Sequence, residues 1–163
     1  MKKTKKLILC RHSDAELNNS ENDFERKLTK EGVEHAIETA HWLKENNINP
    51  DKIICSPSIR TIHTTAIFND LLNFDESKIK YEPKIYDNNF VEINRIILKE
   101  KEETDTLMII GHNPSMSQLA GSYSEIHRFP TAGCVIMDFD VEFWNYIDAI
   151  FLKDKKCNFD SNF

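Results

Sequence analysis

The chain is predicted to be an α/β protein: a three-layer α/β/α sandwich around a mostly parallel sheet with an antiparallel edge hairpin. Short apolar runs without polar alternation recur along it, as expected of strands buried on both faces. Longer segments with apolar residues at helical spacing lie between them, so strands and helices alternate. Near the end two β-rich runs follow one another without a helix, which marks the antiparallel edge.

In order, Leu7-Ile8-Leu9-Cys10 is the first buried strand. Thr29 to Glu45 is a helix with Thr29 as N-cap, and Val33, Ala36, Ile37, Ala40 and Leu43 share one face. Lys52-Ile53-Ile54-Cys55 is the second strand and Ser58 to Leu72 the second helix. A weak strand is expected near Ile79 to Ile85, then a helix from about Asn89 to Lys101. Thr106 to Ile110 is the third strong strand, and Asn113-Pro114 open a short helix to about Gly121. Cys134 to Phe139 and Trp144 to Leu152, separated by Asp140-Val141-Glu142, are expected to form the hairpin.

A chain of 163 residues suits one domain, with a core over 6–152 and a loosely ordered tail over 153–163. The net charge of −6 argues against a nucleic-acid module. Four glycines leave no phosphate-binding fingerprint of either common nucleotide type. No apolar run approaches the ~20 residues of a membrane span. The basic start, Met1 to Lys6, precedes an apolar stretch too short for a secretory signal. Cys10, Cys55, Cys134 and Cys157 form no C-x-x-C pair and read as reduced thiols, three of them buried, so a cytoplasmic protein is expected; a monomer is expected as well.

The unusual polar residues cluster at strand ends. Arg11-His12 follow the first strand and Ser56-Pro57-Ser58-Ile59-Arg60 the second. Tyr86-Asp87 follow the weak strand and Gly111-His112-Asn113-Pro114 the third strong one. Ligands bind at the carboxyl ends of strands in open parallel sheets, so these segments are expected to meet. Two arginines and two histidines there suit an anion, and planar guanidiniums suit phosphate best. No histidine or cysteine spacing suggests a metal site, and no cofactor is expected.

These segments resemble the histidine phosphatase (phosphoglycerate mutase-like) superfamily. Leu9-Cys10-Arg11-His12-Ser13 resembles its opening R-H-G motif, and Arg26-Lys27-Leu28-Thr29-Lys30-Glu31-Gly32 its R-x-L-T-x-x-G segment. Ser56-Pro57-Ser58-Ile59-Arg60-Thr61-Ile62-His63-Thr64-Thr65-Ala66 looks like its S-P-x-x-R segment, and Ile109-Ile110-Gly111-His112-Asn113-Pro114 its second-histidine motif. With the stretch Phe129-Pro130-Thr131-Ala132-Gly133, the likeness is nearest to small SixA-type phosphohistidine phosphatases and spans roughly residues 7 to 139. The resemblance implies that His12 is the nucleophile and carries a transient phosphoryl group. It implies that Arg11, Arg60, His112 and Asn113 hold the phosphate. The substrate it implies is a phosphohistidine-bearing protein or a small phosphorylated molecule.

The sequence departs from the family at two points. Ser13 replaces the motif glycine, and Asp87 stands where larger members place a catalytic glutamate. Asp87 is therefore the candidate proton donor, with Asp14 and Glu16 as rivals. His35, His41 and His63 fall within predicted helices and are expected to be structural or superficial. A thiolate phosphatase is disfavoured, because Cys55 and Arg60 have one residue too few between them. Mutase activity is disfavoured too, because no insertion would build a site for reorienting a metabolite. A phosphoprotein-binding module without turnover is the remaining competitor.

Overall fold

The structure, a computed structural model, describes residues 4–17 and 22–161. The first three residues of the basic start, Met1 to Lys3, and the end of the tail, Asn162 and Phe163, lie outside the described residues. The strands are β1 (Lys5–Arg11), β2 (Lys52–Cys55), β3 (Ile79–Tyr81), β4 (Thr106–Gly111), β5 (Cys134–Phe139) and β6 (Leu152–Cys157). The helices are α1 (Lys30–Glu45), α2 (Ile59–Leu72), α3 (Pro83–Tyr86), α4 (Phe90–Leu98) and α5 (Ser115–Ser124).

One six-stranded sheet runs in the order β3-β2-β4-β1-β5-β6. Pairing is parallel from β3 through β1, and antiparallel between β1 and β5 and between β5 and β6. This is the predicted three-layer sandwich with an antiparallel edge. The alternation of side chains across the pleat separates two apolar layers. Ile8, Cys10, Ile53, Met108 and Ile110 face Ala36, Ala40 and Leu43 of α1 and Phe68 of α2. Leu7, Leu9, Ile54, Leu107 and Ile109 face Ile93 and Ile97 of α4 and Met116 and Leu119 of α5. Both faces are covered, which is why the central strands read as unbroken apolar runs. Among the described residues no helix is long and apolar enough to cross a membrane.

Helix starts follow their capping residues. The Thr29 hydroxyl accepts from Gly32 N and the Asn89 side chain accepts from Val91 N and Glu92 N. Gly32 is required by contact: a Cβ there would lie 2.1 Å from the Asp14 carbonyl oxygen. The first turn of α1 is thus pressed against the chain that leaves β1, and Thr29 N donates to the same Asp14 carbonyl.

The weak strand expected near Ile79 to Ile85 ends at Tyr81, because Pro83 opens the short helix α3, and three further expectations are corrected. The segment after Glu142 is not a strand from Trp144 to Leu152: it forms single 3-10 turns at Trp144–Tyr146 and Ala149–Phe151. Trp144 is buried there, with its indole N–H donating to the Thr104 carbonyl, and the Asp148 side chain caps Ile150 N. The hairpin partner is instead β6, inside the expected loose tail. Its exposed charges, Lys153, Asp154, Lys155 and Lys156, suit an edge strand and hide it from any apolar pattern. The tail continues as a tether, since the Asn158 side chain bonds Cys134 N, Ala132 O and the Thr39 hydroxyl.

The cysteines form the third correction. Cys10 and Cys134 face each other across β1 and β5, with Cα atoms 4.3 Å apart, and are joined as a disulfide. Cys55 and Cys157 are free. Cysteine usage therefore gives no argument for a reducing compartment.

Lys5, at the start of β1, is fully buried, and its ammonium donates to the Glu102 and Thr104 carbonyls and to the Asp105 carboxylate. It ties the turn before β4 to β1. Lys5→Ala removes three charge-assisted hydrogen bonds, leaving the Thr104 carbonyl with the Trp144 indole as its donor, and should cost about 2–4 kcal/mol in urea unfolding. The Asp105 carboxylate is 56 % exposed, so Asp105→Asn should cost under about 1 kcal/mol. Equal losses would place the stabilisation in the ion pair instead of the carbonyl contacts.

Candidate active site

The parallel register brings the two histidines together. Arg11 pairs with Gly111 across β1 and β4, so His12 and His112 leave the sheet at the same depth. His12 N donates to the Gly111 carbonyl, and the two imidazole centroids are 5.1 Å apart. β2 lies on the far side of β4, and Ser56 N donates to the Ile110 carbonyl as the chain turns into α2. Arg60, in the first turn of α2, then reaches both rings. Its Nε donates to His12 Nε2 and a terminal nitrogen to His112 Nδ1, both at 3.3 Å.

Arg11, His12, Arg60 and His112 therefore share one cleft of about 600 Å³ at the carboxyl end of the sheet. Asn113 also lines it. Its amide is committed to structure, however, donating to the Phe129 carbonyl and accepting from Ser117 at the start of α5. Asp87 is not brought in. It caps the end of α3 with its side chain in solvent, while its neighbours Tyr86 and Asn88 face the cleft. Glu16 is exposed and outside the cleft, whereas Asp14 lines it. His41 and His63 are exposed on their helices, and His35 is exposed but bonded to Asp14.

Asp23, Arg26, Tyr86, Asn88 and Thr131 are the further polar wall. Asp23 is the chief omission of the sequence reading. One of its carboxylate oxygens accepts from both Arg60 and the Tyr86 hydroxyl at 3.0 Å, and the other accepts from Arg26. Only the neighbouring Arg26, inside the R-x-L-T-x-x-G run, pointed at this stretch.

Both central imidazoles are held neutral. Burial lowers His12 to about 4, opposed by its bond to the Ser13 carbonyl and aided by Arg60, Arg11 and Arg26. Burial lowers His112 to about 3, with His12 and Arg60 adding to it. His12 Nδ1–H donates to the Ser13 carbonyl at 2.6 Å, which leaves Nε2 as the basic atom facing Arg60. A guanidinium only donates, so His112 accepts through Nδ1 and gives its Nε2–H to the Ser56 hydroxyl. The Arg11 guanidinium donates to the Phe129 carbonyl, while its buried Nε has no hydrogen-bond partner among the described residues. Asp23 is pushed down to about 2: partial burial works to raise it, but Arg26, Arg60 and Tyr86 outweigh that.

Ser13 is accommodated without strain. Its φ is not positive, so the glycine-only region is not needed. Its buried hydroxyl donates to the Gly32 carbonyl, and its N–H to the Thr64 hydroxyl.

Among the described residues no group of three or more His, Cys, Asp or Glu side chains gathers as a metal site. The donor set is that of an anion pocket with an uncharged nucleophilic nitrogen in its wall.

The chain is similar to known proteins in both structure and sequence. A putative phosphohistidine phosphatase SixA from Agrobacterium tumefaciens has a similar structure, with a TM-score of 0.76 and 26 % identity over 83 % of this chain and 92 % of that one. A putative SixA from Nakamurella multipartitia superposes with a TM-score of 0.77 at 20 % identity, covering 94 % and 95 % of the two chains. An uncharacterised protein of Mycobacterium leprae is 24 % identical over 127 residues, 71 % of this chain and 76 % of its own. The family model of the histidine phosphatase superfamily (branch 1) matches residues 7–128, and the chain belongs to that superfamily.

Proposed function

We propose that this phosphatase acts on phosphohistidine carried by a protein, through a phosphoryl group held transiently on His12. The observation that carries the reading is the state of His12: a neutral ring with Nδ1 tied down and Nε2 turned into a cationic cleft. A nucleophile must present a lone pair to phosphorus, and an imidazolium has none. The SixA names of the similar structures support phosphohistidine as the substrate. So does the cleft, which exceeds what a phosphate needs and offers Tyr86 and Leu17 to the ring that carries it.

In the first half-reaction Nε2 attacks phosphorus and the leaving nitrogen departs with a proton. In the second, water attacks phosphorus and the bond to Nε2 breaks. Phosphoryl transfer needs chiefly position and charge around the equatorial oxygens. Arg11 supplies its Nε, which has no partner among the described residues. Arg60 must release its hydrogen bonds to Asp23 to turn its fork on the phosphate. Asp23 thus neutralises Arg60 and gives way to the incoming anion.

His12→Ala should abolish release of phosphate from a phosphohistidine protein and from p-nitrophenyl phosphate. Arg60→Lys, which loses the fork, should lower kcat about 100-fold. A radiolabelled phosphoryl adduct should be trapped on the wild type and absent from His12→Ala. Binding of the phosphoprotein with no adduct and no turnover would make the protein a binding module instead.

The imidazole signals of His12 and His112 should show no change as pH falls through 6.5 and titrate only near 4 and 3 in NMR spectra. The stability these neutral rings lend is present above the unfolded value and lost as pH falls through the folded ones. Added inorganic phosphate should raise both values, because a dianion favours the charged rings.

A further inference from the structure

Asp14 follows His12 by two residues and lines the same cleft. Its Oδ1 accepts from the Thr131 hydroxyl at 2.5 Å, and its Oδ2 accepts from His35 Nδ1 at 2.8 Å. Thr131 also lines the cleft, while His35 stands outside it on α1 with 52 % of its side chain in solvent. The close approach of Gly32 to Asp14 sets this geometry, since it brings the next turn of α1, and with it His35, against the carboxylate.

Among the described residues two carboxylates line the cleft, and their partners differ in kind. Asp23 is held by two guanidiniums and a phenol. A guanidinium keeps its protons at any pH at which the protein is folded, so it has none to pass on. Asp14 is held by an imidazole, which loses and gains a proton in the neutral range. We infer that Asp14 and His35 are the proton supply of the cleft, Asp14 as the catalytic acid and base and His35 as the positioning residue that charges it. This inference rests on the phosphatase reading above.

The protonation states are consistent with that role. The bond to Asp14 raises His35, partial burial opposes it, and Asp14, Glu38 and Glu34 add their charge in the raising direction. Asp14 lies low: partial burial works to raise it, but Thr131 and His35 prevail. At rest the proton therefore sits on His35. The charged groups that face the pair are Arg11 and Arg26 from the cleft and Glu34 and Glu38 from α1.

The proton cycle closes on itself. As His12 Nε2 bonds to phosphorus, the bond from phosphorus to the leaving atom breaks with its electron pair. Asp14 takes the Nδ1 proton of His35 and passes a proton to that atom, which leaves His35 neutral and Asp14 ionised. In the second half-reaction water attacks phosphorus and its proton passes to Asp14 and on to His35. The N–P bond breaks, its pair returns to His12 Nε2, and phosphate leaves with His35 charged again. A poor leaving group depends on this donor and a good one does not.

The test compares phenyl phosphate with p-nitrophenyl phosphate between about pH 5 and 9 for wild type, His35→Gln and Asp14→Asn. Wild-type kcat on phenyl phosphate should fall as pH rises through the raised value of His35. His35→Gln should lose that alkaline limb and about 10-fold or more of the rate. Asp14→Asn should lose about 100-fold, and on p-nitrophenyl phosphate, whose leaving group needs no acid, both should keep the initial burst of p-nitrophenol while the later steady state, set by attack of water, slows. Unchanged inhibition by inorganic phosphate checks that the cleft is intact, and Asp14→Asn should lower the NMR titration point of His35. An enzyme that needs His12 but shows the same pH profile and leaving-group dependence in His35→Gln overturns the pair alone. Full activity in His12→Ala overturns the phosphatase reading itself.

Discussion

Arg60 holds the cleft together. Its side chain is 7 % exposed, and a cation so placed must be paired and hydrogen-bonded at every polar atom. It meets this requirement by touching His12, His112 and both the carbonyl and the carboxylate of Asp23. Each contact has a consequence. The bonds to the imidazoles fix which nitrogen of each ring accepts, and the positive charge helps keep both rings neutral. The bonds to Asp23 bring the 22–26 segment over the mouth of the cleft and set a carboxylate against the guanidinium.

The same constraint explains how a protein of net charge −6 holds an anion pocket. The acidic residues of α1, among them Glu34 and Glu38, are exposed and screened by water. Arg11 and Arg60 are half-buried and buried against a wall of sheet ends, where their field is far less screened. Local geometry, not the overall balance, decides the sign that a ligand meets.

Much of the frame was legible in the sequence because burial on both faces leaves a one-dimensional mark. Leu7 to Cys10, Lys52 to Cys55 and Thr106 to Ile110 are strands where the apolar runs said so, and Thr29 caps where its helix begins. The three segments after these strands meet because chain order and the strand-end rule suffice to bring them together. What escaped has a different physics. β6 is an edge strand whose charges face water, so it carries no apolar pattern. The Cys10–Cys134 pairing depends on an antiparallel register between residues 124 apart. Asp23 enters through a loop, where direction is set by Arg60 and Tyr86 and not by any local period. Asp87 was placed by analogy with larger relatives, but here the turn at Tyr86 sends its neighbours inward and Asp87 outward.

Ser13, the departure from the motif glycine, shows how far the site relies on its surroundings. A glycine here would keep the N–H bond to Thr64 of α2 and lose the hydroxyl bond to Gly32 of α1. That hydroxyl clamps α1 to the turn that follows β1. The same turn presents the carbonyl that selects the tautomer of His12 and the carboxylate that meets His35. The substitution therefore ties the nucleophile and the neighbouring carboxylate to one rigid helix start. With a negative φ at this position, the clamp adds a buried hydrogen bond without backbone strain.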